Sequence, residues 1–312
     1  MLDDPFDNDL PPRAVGPGGG SGGGSGSNGG GSGGGSNGGR PVRKDEIELD
    51  ERGLYIESWL PERRSRRRPL FFVHGELAGS WVWERWLRFF ASRGWEGHAL
   101  NLRNHYWSQT ADPATLSFET YVDDVVAGLA KVGPGAVAFG HGMGALLLMK
   151  VASERSGVAG LVLVDPELPA ELREPVKPHI VRDVPPAYGP SVSGWDALPE
   201  KLIREHRDLT IDDVLRIQHL LGQKPHESGR ARGAMLAGVP IDAAAVSGTP
   251  TLVIGAGLDG SPQAQGADRL AAWLGVEHEQ YGAASHYGLL LATEGYRPVV
   301  ERVKAFLEVH RL

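Results

Sequence analysis

Short apolar runs alternate with helix-periodic segments along most of this chain, and this alternation constrains the fold more than any other feature. Runs that suit buried strands lie at 69–73, 97–102, 136–139, 158–164, 251–254 and 277–281. Segments with an apolar stripe at helical spacing lie at 80–93, 118–132, 143–154, 267–274 and 296–309. Strands that alternate with helices pair in parallel and are covered on both faces. The sequence therefore predicts an α/β fold with a mainly parallel sheet and helices on both faces.

The start of the chain differs in composition from the rest of its 312 residues. Residues 1–15 form an acidic head, and residues 16–39 are almost entirely Gly, Ser and Asn. A segment without apolar surface has nothing to bury, so we expect a disordered head followed by a flexible linker. The head is also a candidate peptide for binding a partner protein. Residues 40–312 are long enough for one large domain.

One long segment interrupts the alternation of strands and helices. Residues 166–245 are rich in proline, charge and short helix-like pieces, without a strong strand. The segment stands between two core strands, so we expect a cap-like insertion over a site at the edge of the sheet.

A basic run lies between two strand-like segments near the start of the domain. Residues 47–60 alternate as a strand pair does, with a turn at 50–53. The run follows them and consists of Arg63, Arg64, Arg66, Arg67 and Arg68. We expect a solvated loop here, and the alternative is a patch that binds an anionic partner.

Composition narrows the classes of function. A net charge of −7 argues against wholesale binding of nucleic acid. The absence of cysteine excludes disulfides, thiolate metal sites and a cysteine nucleophile. The histidines lack metal-ligand spacing, so we expect no metal and no cofactor. With no secretory pattern and no apolar run long enough for a membrane span, we expect a cytoplasmic protein without membrane contact that binds a small-molecule substrate or ligand.

The most informative stretch joins a buried strand directly to a helix. It contains Gly140-His141-Gly142-Met143-Gly144, in which small residues flank a central position. The nucleophile elbow of a hydrolase has this shape, with serine at the centre of Gly-x-Ser-x-Gly. The sharp turn presents the central side chain above the sheet, and the N–H of the next residue faces an oxyanion.

At this point the sequence resembles the α/β-hydrolase superfamily, in particular its methylesterase and hydroxynitrile-lyase type. The resemblance covers residues 46–312 and rests on the segments 71–75 with 79–83, 140–144, 249–259 and 285–287. It implies the α/β-hydrolase fold and an ancestral substrate that is a small carboxylic ester, thioester or lactone.

The resemblance also implies roles for individual residues. Gly142 stands where the family has its nucleophilic serine, Asp259 where it has the acid, and His286 where it has the base. The N–H groups of Glu76 and Met143 are the implied oxyanion donors. A carboxylate at Glu76 would repel an oxyanion unless it turns away or is protonated.

Glycine at position 142 removes the ordinary acyl-enzyme route, because that route needs a hydroxyl that a histidine can deprotonate. It also relieves the backbone strain of the elbow. Two functions remain open. One is an inactive or slow esterase in which His286 and Asp259 activate water, with Asp165 as the fallback acid and Ser285 as a conceivable substitute nucleophile. The other is a pseudoenzyme that binds a small molecule or a protein.

Several other residues are candidates for lining the pocket. His74, Gly75 and His141 flank the two segments that carry the oxyanion donors and the elbow. His105, Tyr106 and Trp107 follow a strand end, where substrate-facing loops arise in open α/β sheets. The alternative for this second group is ordinary loop packing.

A competing motif points to a different class of function. Residues 255–260 match Gly-x-Gly-x-x-Gly after a strand, and Glu277 and Glu279 lie about 20 residues further on, as in a dinucleotide-binding fingerprint. Pro262 follows where the fingerprint needs a helix, and the motif comes after several strands. A dinucleotide-binding oxidoreductase is therefore only a remote alternative.

Overall fold

The computed structural model of the chain describes residues 42–49, 53–63, 65–155, 157–224, 226–258 and 266–312. The predictions of a disordered head at 1–15 and a flexible linker at 16–39 fall outside these residues, and so does Asp259. The strands are β1 Val42–Leu49, β2 Leu54–Pro61, β3 Leu70–Val73, β4 Gly97–Asn101, β5 Val137–His141, β6 Gly160–Val164, β7 Ala187–Tyr188, β8 Glu227–Ser228, β9 Thr251–Ala256 and β10 Glu277–Tyr281.

The helices lie between these strands along the chain, and the last two follow β10. They are α1 Glu84–Ala91, α2 Phe118–Val132, α3 Met143–Glu154, α4 Pro178–Arg182, α5 Pro199–Glu205, α6 Ile211–Leu221, α7 Gly229–Ala237, α8 Ala243–Ser247, α9 Gly266–Leu274, α10 Gly288–Leu291 and α11 Tyr296–Val309. Within the described residues, no helix is both long and apolar enough to cross a membrane.

Eight strands form the main sheet in the order β1-β2-β4-β3-β5-β6-β9-β10. The hairpin β1–β2 and the pair β2–β4 are antiparallel, and every other pair is parallel. The prediction of a mainly parallel α/β sheet is confirmed. The predicted strand pair at 47–60 is also present, although its first strand starts earlier, at Val42.

The central strands bury both of their faces, as strands in a parallel sheet must. On one face of β3, Phe71 and Val73 belong to a large aliphatic core that the α2 and α3 helices share. On the other face, Phe72 lies 5.1 Å from Trp83 and 4.5 Å from Phe139, measured between ring centroids. The wholly apolar sequence of this strand therefore reflects a core on each side of the sheet.

The helix predicted at 80–93 is two elements rather than one. Residues Ser80–Trp83 form a 3₁₀ turn, and α1 begins only at Glu84. The N–H of Ser80 donates to Asn101 Oδ1 at 2.7 Å, and its hydroxyl donates to Glu57 Oε2 at 2.9 Å. These bonds hold the start of the segment against the end of β4. The segment therefore begins with the tighter 3₁₀ geometry before the α-helix starts.

The predicted insertion lies between β6 and β9 and contains α4 to α8. Its only strands among the described residues are the two-residue β7 and β8, which pair with each other. The segment does not extend the main sheet, as the sequence predicts. We refer to residues 166–245 as the cap.

The α3 helix, which follows the turn at Gly142, packs tightly against the end of β3. This contact leads to a prediction about the stability of a variant. A Cβ atom at Gly144 would lie 2.3 Å from Val73 O and 2.5 Å from His74 O, which are backbone atoms that cannot move aside independently. We expect Gly144→Ala to lower the free energy of unfolding by about 3 kcal/mol, measured by urea denaturation. Gly248→Ala is the control, since no atom lies within 4 Å of its added Cβ, and a loss of equal size there would contradict the steric account.

Candidate active site

Gly142 occupies the turn between β5 and α3, with φ 53° and ψ −117°. Side chains rarely adopt a positive φ of this kind, and the same backbone shape defines a nucleophile elbow. The N–H of Gly142 donates to Val164 O at 3.1 Å, which ties the turn to the end of β6. Because α3 begins at Met143, the N–H of Met143 has no acceptor within the helix and is available to an oxyanion.

The imidazole of His286 lies directly over the elbow. A Cβ atom built on Gly142 would lie 3.3 Å from Cε1 and 3.4 Å from Nε2 of His286. A serine at this position would therefore place its hydroxyl within reach of that nitrogen. The structure therefore brings the imidazole of His286 next to the backbone of Gly142 at the elbow.

The other ring nitrogen of His286 is bonded to an acid. Nδ1 of His286 lies 2.5 Å from Asp165 Oδ2. Asp165 follows β6, has a φ of 42°, and is 2% exposed. Its second oxygen accepts from Ala256 N at 3.1 Å, so the end of β9 fixes the carboxylate. Since the carboxylate accepts the Nδ1 proton, Nε2 is left as the acceptor that faces Gly142.

Asp165 is the fallback acid predicted from the sequence, and among the described residues its carboxylate bonds to His286 Nδ1. Asp259 lies outside the described residues, so its role stays a prediction. The signal for Asp165 is present in the sequence, because an acid directly after a buried strand lies at the carboxyl edge of the sheet. The resemblance favoured the acid after the later strand instead.

The ring of His141 packs against the ring of His286 and does not serve as a second base. It is 1% exposed, and its ring centroid lies 3.9 Å from that of His286. Its Nε2 donates to the backbone oxygen of His286 at 3.1 Å. Burial, together with the neighbouring His286, lowers the pKa of His141 well below its ordinary value. The ring is therefore neutral at physiological pH and packs as an uncharged group.

His74 is a structural residue in the loop after β3. Leu102 N donates to its Nε2 at 3.1 Å, so its Nδ1 carries the proton and donates to Gly75 O at 2.7 Å. Burial lowers the pKa of His74 to about 3. Gly75 lies close to the elbow, with a hypothetical Cβ only 3.2 Å from His141 O. These two residues shape the loop that brings Glu76 to the site.

The carboxylate of Glu76 is bound by the cap. Tyr188 donates its hydroxyl to Glu76 Oε1, and Arg232 Nη1 lies 3.2 Å from the same oxygen. Burial raises the pKa of Glu76 to about 7, although the charge of Arg232 opposes this change. The positive charge of Arg232 compensates the carboxylate, so the repulsion expected from the sequence is reduced.

A second buried carboxylate joins the cap to the same loop. Glu227 is fully buried and accepts from four donors: Leu77 N at 3.1 Å, His105 Nε2 at 2.7 Å, Tyr121 Oη at 2.6 Å and Ser228 N at 2.7 Å. His105 Nδ1 also lies 3.0 Å from Arg103 O, so both of its nitrogens face acceptors. Burial opposes the charged form of His105, but Glu227 raises its pKa above the ordinary value. His105 is thus half of a buried ion pair with Glu227, and its role in lining a pocket stays a prediction.

The sheet order, the elbow and the pairing of His286 with the buried Asp165 all match a known fold. A family model described as the alpha/beta hydrolase fold matches residues 68–195. This chain has the α/β-hydrolase fold. The matched part of the α/β-hydrolase family model contains the loop after β3, the elbow and Asp165, whereas His286 lies beyond it. No curated protein matches the chain.

Solved structures with the α/β-hydrolase fold resemble the chain over most of its length. An esterase from Thermogutta terrifontis is 18% identical with a TM-score of 0.61, and the match covers 86% of this chain and 100% of that one. A thioesterase domain from the curacin biosynthetic pathway is 14% identical with a TM-score of 0.56, covering 85% and 100%. A bromoperoxidase from Bacillus anthracis is 11% identical with a TM-score of 0.64, covering 85% and 100%. These likenesses establish the fold, and the differing names leave the reaction open.

The remaining candidate site residues are Ser285, Tyr106 and Trp107. Ser285 is fully buried, and both its N–H and its hydroxyl donate to Asp208 Oδ2, at 2.7 and 3.1 Å. These bonds give the hydroxyl a structural role in the loop, and its role as a substitute nucleophile stays a prediction. Tyr106 has a φ of 42°, and Trp107 is 62% exposed. Their predicted role in lining the pocket stays a prediction.

The dinucleotide alternative fits the hydrolase fold poorly. Gly255 and Gly257 lie at the end of β9, which is the seventh strand across the sheet rather than the first strand of a leading βαβ unit. Glu277 and Glu279 lie on the neighbouring β10. Gly255 leaves room for the side chain of Gln280, whose Oε1 lies 2.1 Å from a hypothetical Cβ there. The packing of Gln280 therefore explains why position 255 is a glycine.

The cap residues that contact the site are not evident from the sequence. Tyr188, Arg232 and Glu227 bond to the loop after β3 across more than 100 residues of sequence. No local pattern identifies such partners, because their pairing depends on how the cap docks. Only the general prediction of a cap over the site anticipated their location.

Proposed function

We propose that this protein hydrolyses small carboxylic esters or thioesters slowly, with His286 activating a water molecule instead of a serine. The observation that carries the proposal is the pairing of His286 Nδ1 with Asp165 at 2.5 Å beside an elbow that has no side chain. The pairing leaves Nε2 as a proton acceptor, and the missing side chain leaves space for water. The esterase and thioesterase neighbours support this substrate class.

The proposed reaction has no covalent intermediate. A water molecule near Gly142 gives a proton to Nε2 of His286 while its oxygen forms a bond to the carbonyl carbon. The N–H groups of Met143 and Glu76 are the predicted donors to the resulting oxyanion. The bond from that carbon to the leaving oxygen or sulfur then breaks, and the imidazolium returns its proton to the leaving group. The products are a carboxylic acid and an alcohol or thiol.

The glycine at the elbow also favours a second candidate. Without a hydroxyl at Gly142, the pocket can hold a small molecule without forming an acyl-enzyme. A non-catalytic binding protein would use the same loop after β3 and the same cap.

Steady-state hydrolysis of short p-nitrophenyl esters tests the proposal against this second candidate. We expect the parent protein to exceed the buffer rate and His286→Ala to lower kcat by at least about a hundredfold, since a positioned base contributes about 10²–10⁴. A parent rate equal to the buffer rate, with saturable ligand binding, would favour the binding protein. Equal rates for the parent and His286→Ala would contradict water activation by this histidine.

The acid that positions His286 is the subject of a separate prediction. We expect Asp165→Asn to lower kcat about a hundredfold, because an amide donor opposite Nδ1 selects the wrong tautomer of the imidazole. Asparagine tolerates the positive φ at this position, so the fold should persist. Asp259→Asn is the matched comparison, and we expect a clearly smaller loss. The reverse ranking of the two variants would show that Asp259 is the positioning acid.

A further inference from the structure

A basic cavity lies at the opposite end of the sheet from the elbow. Its volume is about 540 Å³, and we call it the arginine cavity, lined by Arg66, Arg67, Arg68, Trp95, Glu308 and Arg311. Arg66, Arg67 and Arg68 precede β3, and Trp95 precedes β4, whose first residue Gly97 pairs with Leu70. The cavity is therefore at the amino ends of strands whose carboxyl ends face the candidate active site.

The four guanidinium groups of this cavity form no close ion pairs among the described residues. None of them forms an ion pair with an acid in the described part of the chain, although other arginines of the protein do. Only the side chain of Arg68 donates a hydrogen bond there, to Gly135 O at 3.3 Å. The acidic side chain of the lining, Glu308, is already paired with Lys304 Nζ at 2.8 Å. The cavity thus holds a positive charge that is not balanced by its own lining.

Part of the cavity is fixed in place. The guanidinium of Arg67 lies over the ring of Trp95, with Cζ 3.6 Å from the ring centroid. Trp95 is 1% exposed, and its Nε1 has no hydrogen-bond acceptor among the described residues. Stacking on a buried ring restricts the Arg67 side chain, so less entropy is lost when it binds an anion.

From these observations we propose that the arginine cavity binds a small molecule that carries at least two phosphate groups. A guanidinium presents a planar set of donors that matches phosphate oxygens in pairs. Four such groups around one cavity need more acceptor oxygens and more negative charge than a single carboxylate supplies. The volume suits a ligand of ordinary small-molecule size. The site is separate from the proposed hydrolytic reaction and does not depend on it.

Isothermal titration calorimetry of the full chain with sodium tripolyphosphate tests this site. We expect saturable binding with one site per chain that weakens as salt is raised, because mobile ions screen exposed charges. Arg66→Gln and Arg311→Gln should each lower the association constant about tenfold. Arg63→Gln is the matched control: Arg63 is exposed in the same basic run but does not line the cavity, and its loss should change the constant less than about twofold.

Several results would overturn the assignment. Absence of saturable heat with tripolyphosphate would exclude the site. An equal loss in Arg63→Gln would mean that diffuse charge, rather than the cavity, attracts the anion. Equal affinity for citrate or for a short single-stranded DNA at the same ionic strength would remove the preference for a small phosphate-bearing ligand. Loss of binding in His286→Ala would place the ligand at the candidate active site instead.

Discussion

Gly142→Ser is expected to increase ester hydrolysis by about a hundredfold or more over the parent and to produce a burst of the first product. The added Cβ would lie 3.4 Å from His286 Nε2, so the hydroxyl can give its proton to a base that Asp165 already holds in position. A serine at this site would complete a nucleophile, base and acid in one place. The measurement is stopped-flow release of p-nitrophenol from a short ester.

The same substitution should cost stability, which gives it a second readout. At a φ of 53° a side chain is strained, and we expect Gly142→Ser to lower the free energy of unfolding by about 1–3 kcal/mol. Gly142→Ala is the matched control, since it adds the same strain without a hydroxyl. If Gly142→Ser folds but turns over no faster than Gly142→Ala, the elbow does not aim its side chain at a working base.

Glu227→Gln should cause the largest loss of stability among side-chain substitutions. The variant leaves His105 without its carboxylate partner, in a site where both side chains are at most 2% exposed. Breaking a buried pair in this way costs about 3–5 kcal/mol, to be measured by urea denaturation near pH 6. Because Glu227 also accepts from Leu77 N, the loop that carries Glu76 should become more mobile. Hydrogen exchange at Leu77 measures that change.

The stability that Glu227 contributes should depend on pH with a definite sign. Burial opposes ionisation of Glu227, but His105 and the hydrogen bonds from its other partners lower its pKa from 4.5 to about 2. A lowered pKa contributes stability that is present above about 4.5 and lost as the pH falls through about 2. His105 has a raised pKa, so its contribution is present below 6.5 and lost as the pH rises through the folded-state value.

The difference between parent and Glu227→Gln should therefore be greatest between about pH 4.5 and 6.5 and shrink on either side. Glu200→Gln is a suitable control, because Glu200 is exposed on the cap and should change stability by no more than about 0.5 kcal/mol. A constant difference across the acid range would contradict a buried ion pair at Glu227.

The main architecture follows from hydrophobic patterns that the sequence shows directly. The α2 and α3 helices have the predicted bounds, because a capping box at Ser117 and the glycine turn at Gly142 mark their starts. The strands β3, β5, β6 and β9 were found because they are buried on both faces. The segment at 80–93 was predicted less well. Its hydrogen bonds to Asn101 and Glu57, which are distant in sequence, hold its first turn as a 3₁₀ turn.

The candidate site was predictable in part. The elbow and His286 were found because each lies in a short motif on its expected element. The acid is harder, because two aspartates follow two neighbouring strands and only three-dimensional geometry places Asp165 at His286 Nδ1. The hydrogen bonds of His74 and His105 could not be predicted, since sequence does not reveal the buried partners that occupy their ring nitrogens.

The proposed mechanism has His286, paired with Asp165, activate water beside Gly142. Pre-steady-state hydrolysis of a p-nitrophenyl ester by the parent protein, with intact-mass analysis of the quenched reaction, tests it most directly. We expect linear release without a burst, no acyl adduct on the protein, and a rate that falls at least about a hundredfold in His286→Ala. A burst with a stoichiometric acyl adduct in the parent would contradict it, because another residue would then be the nucleophile.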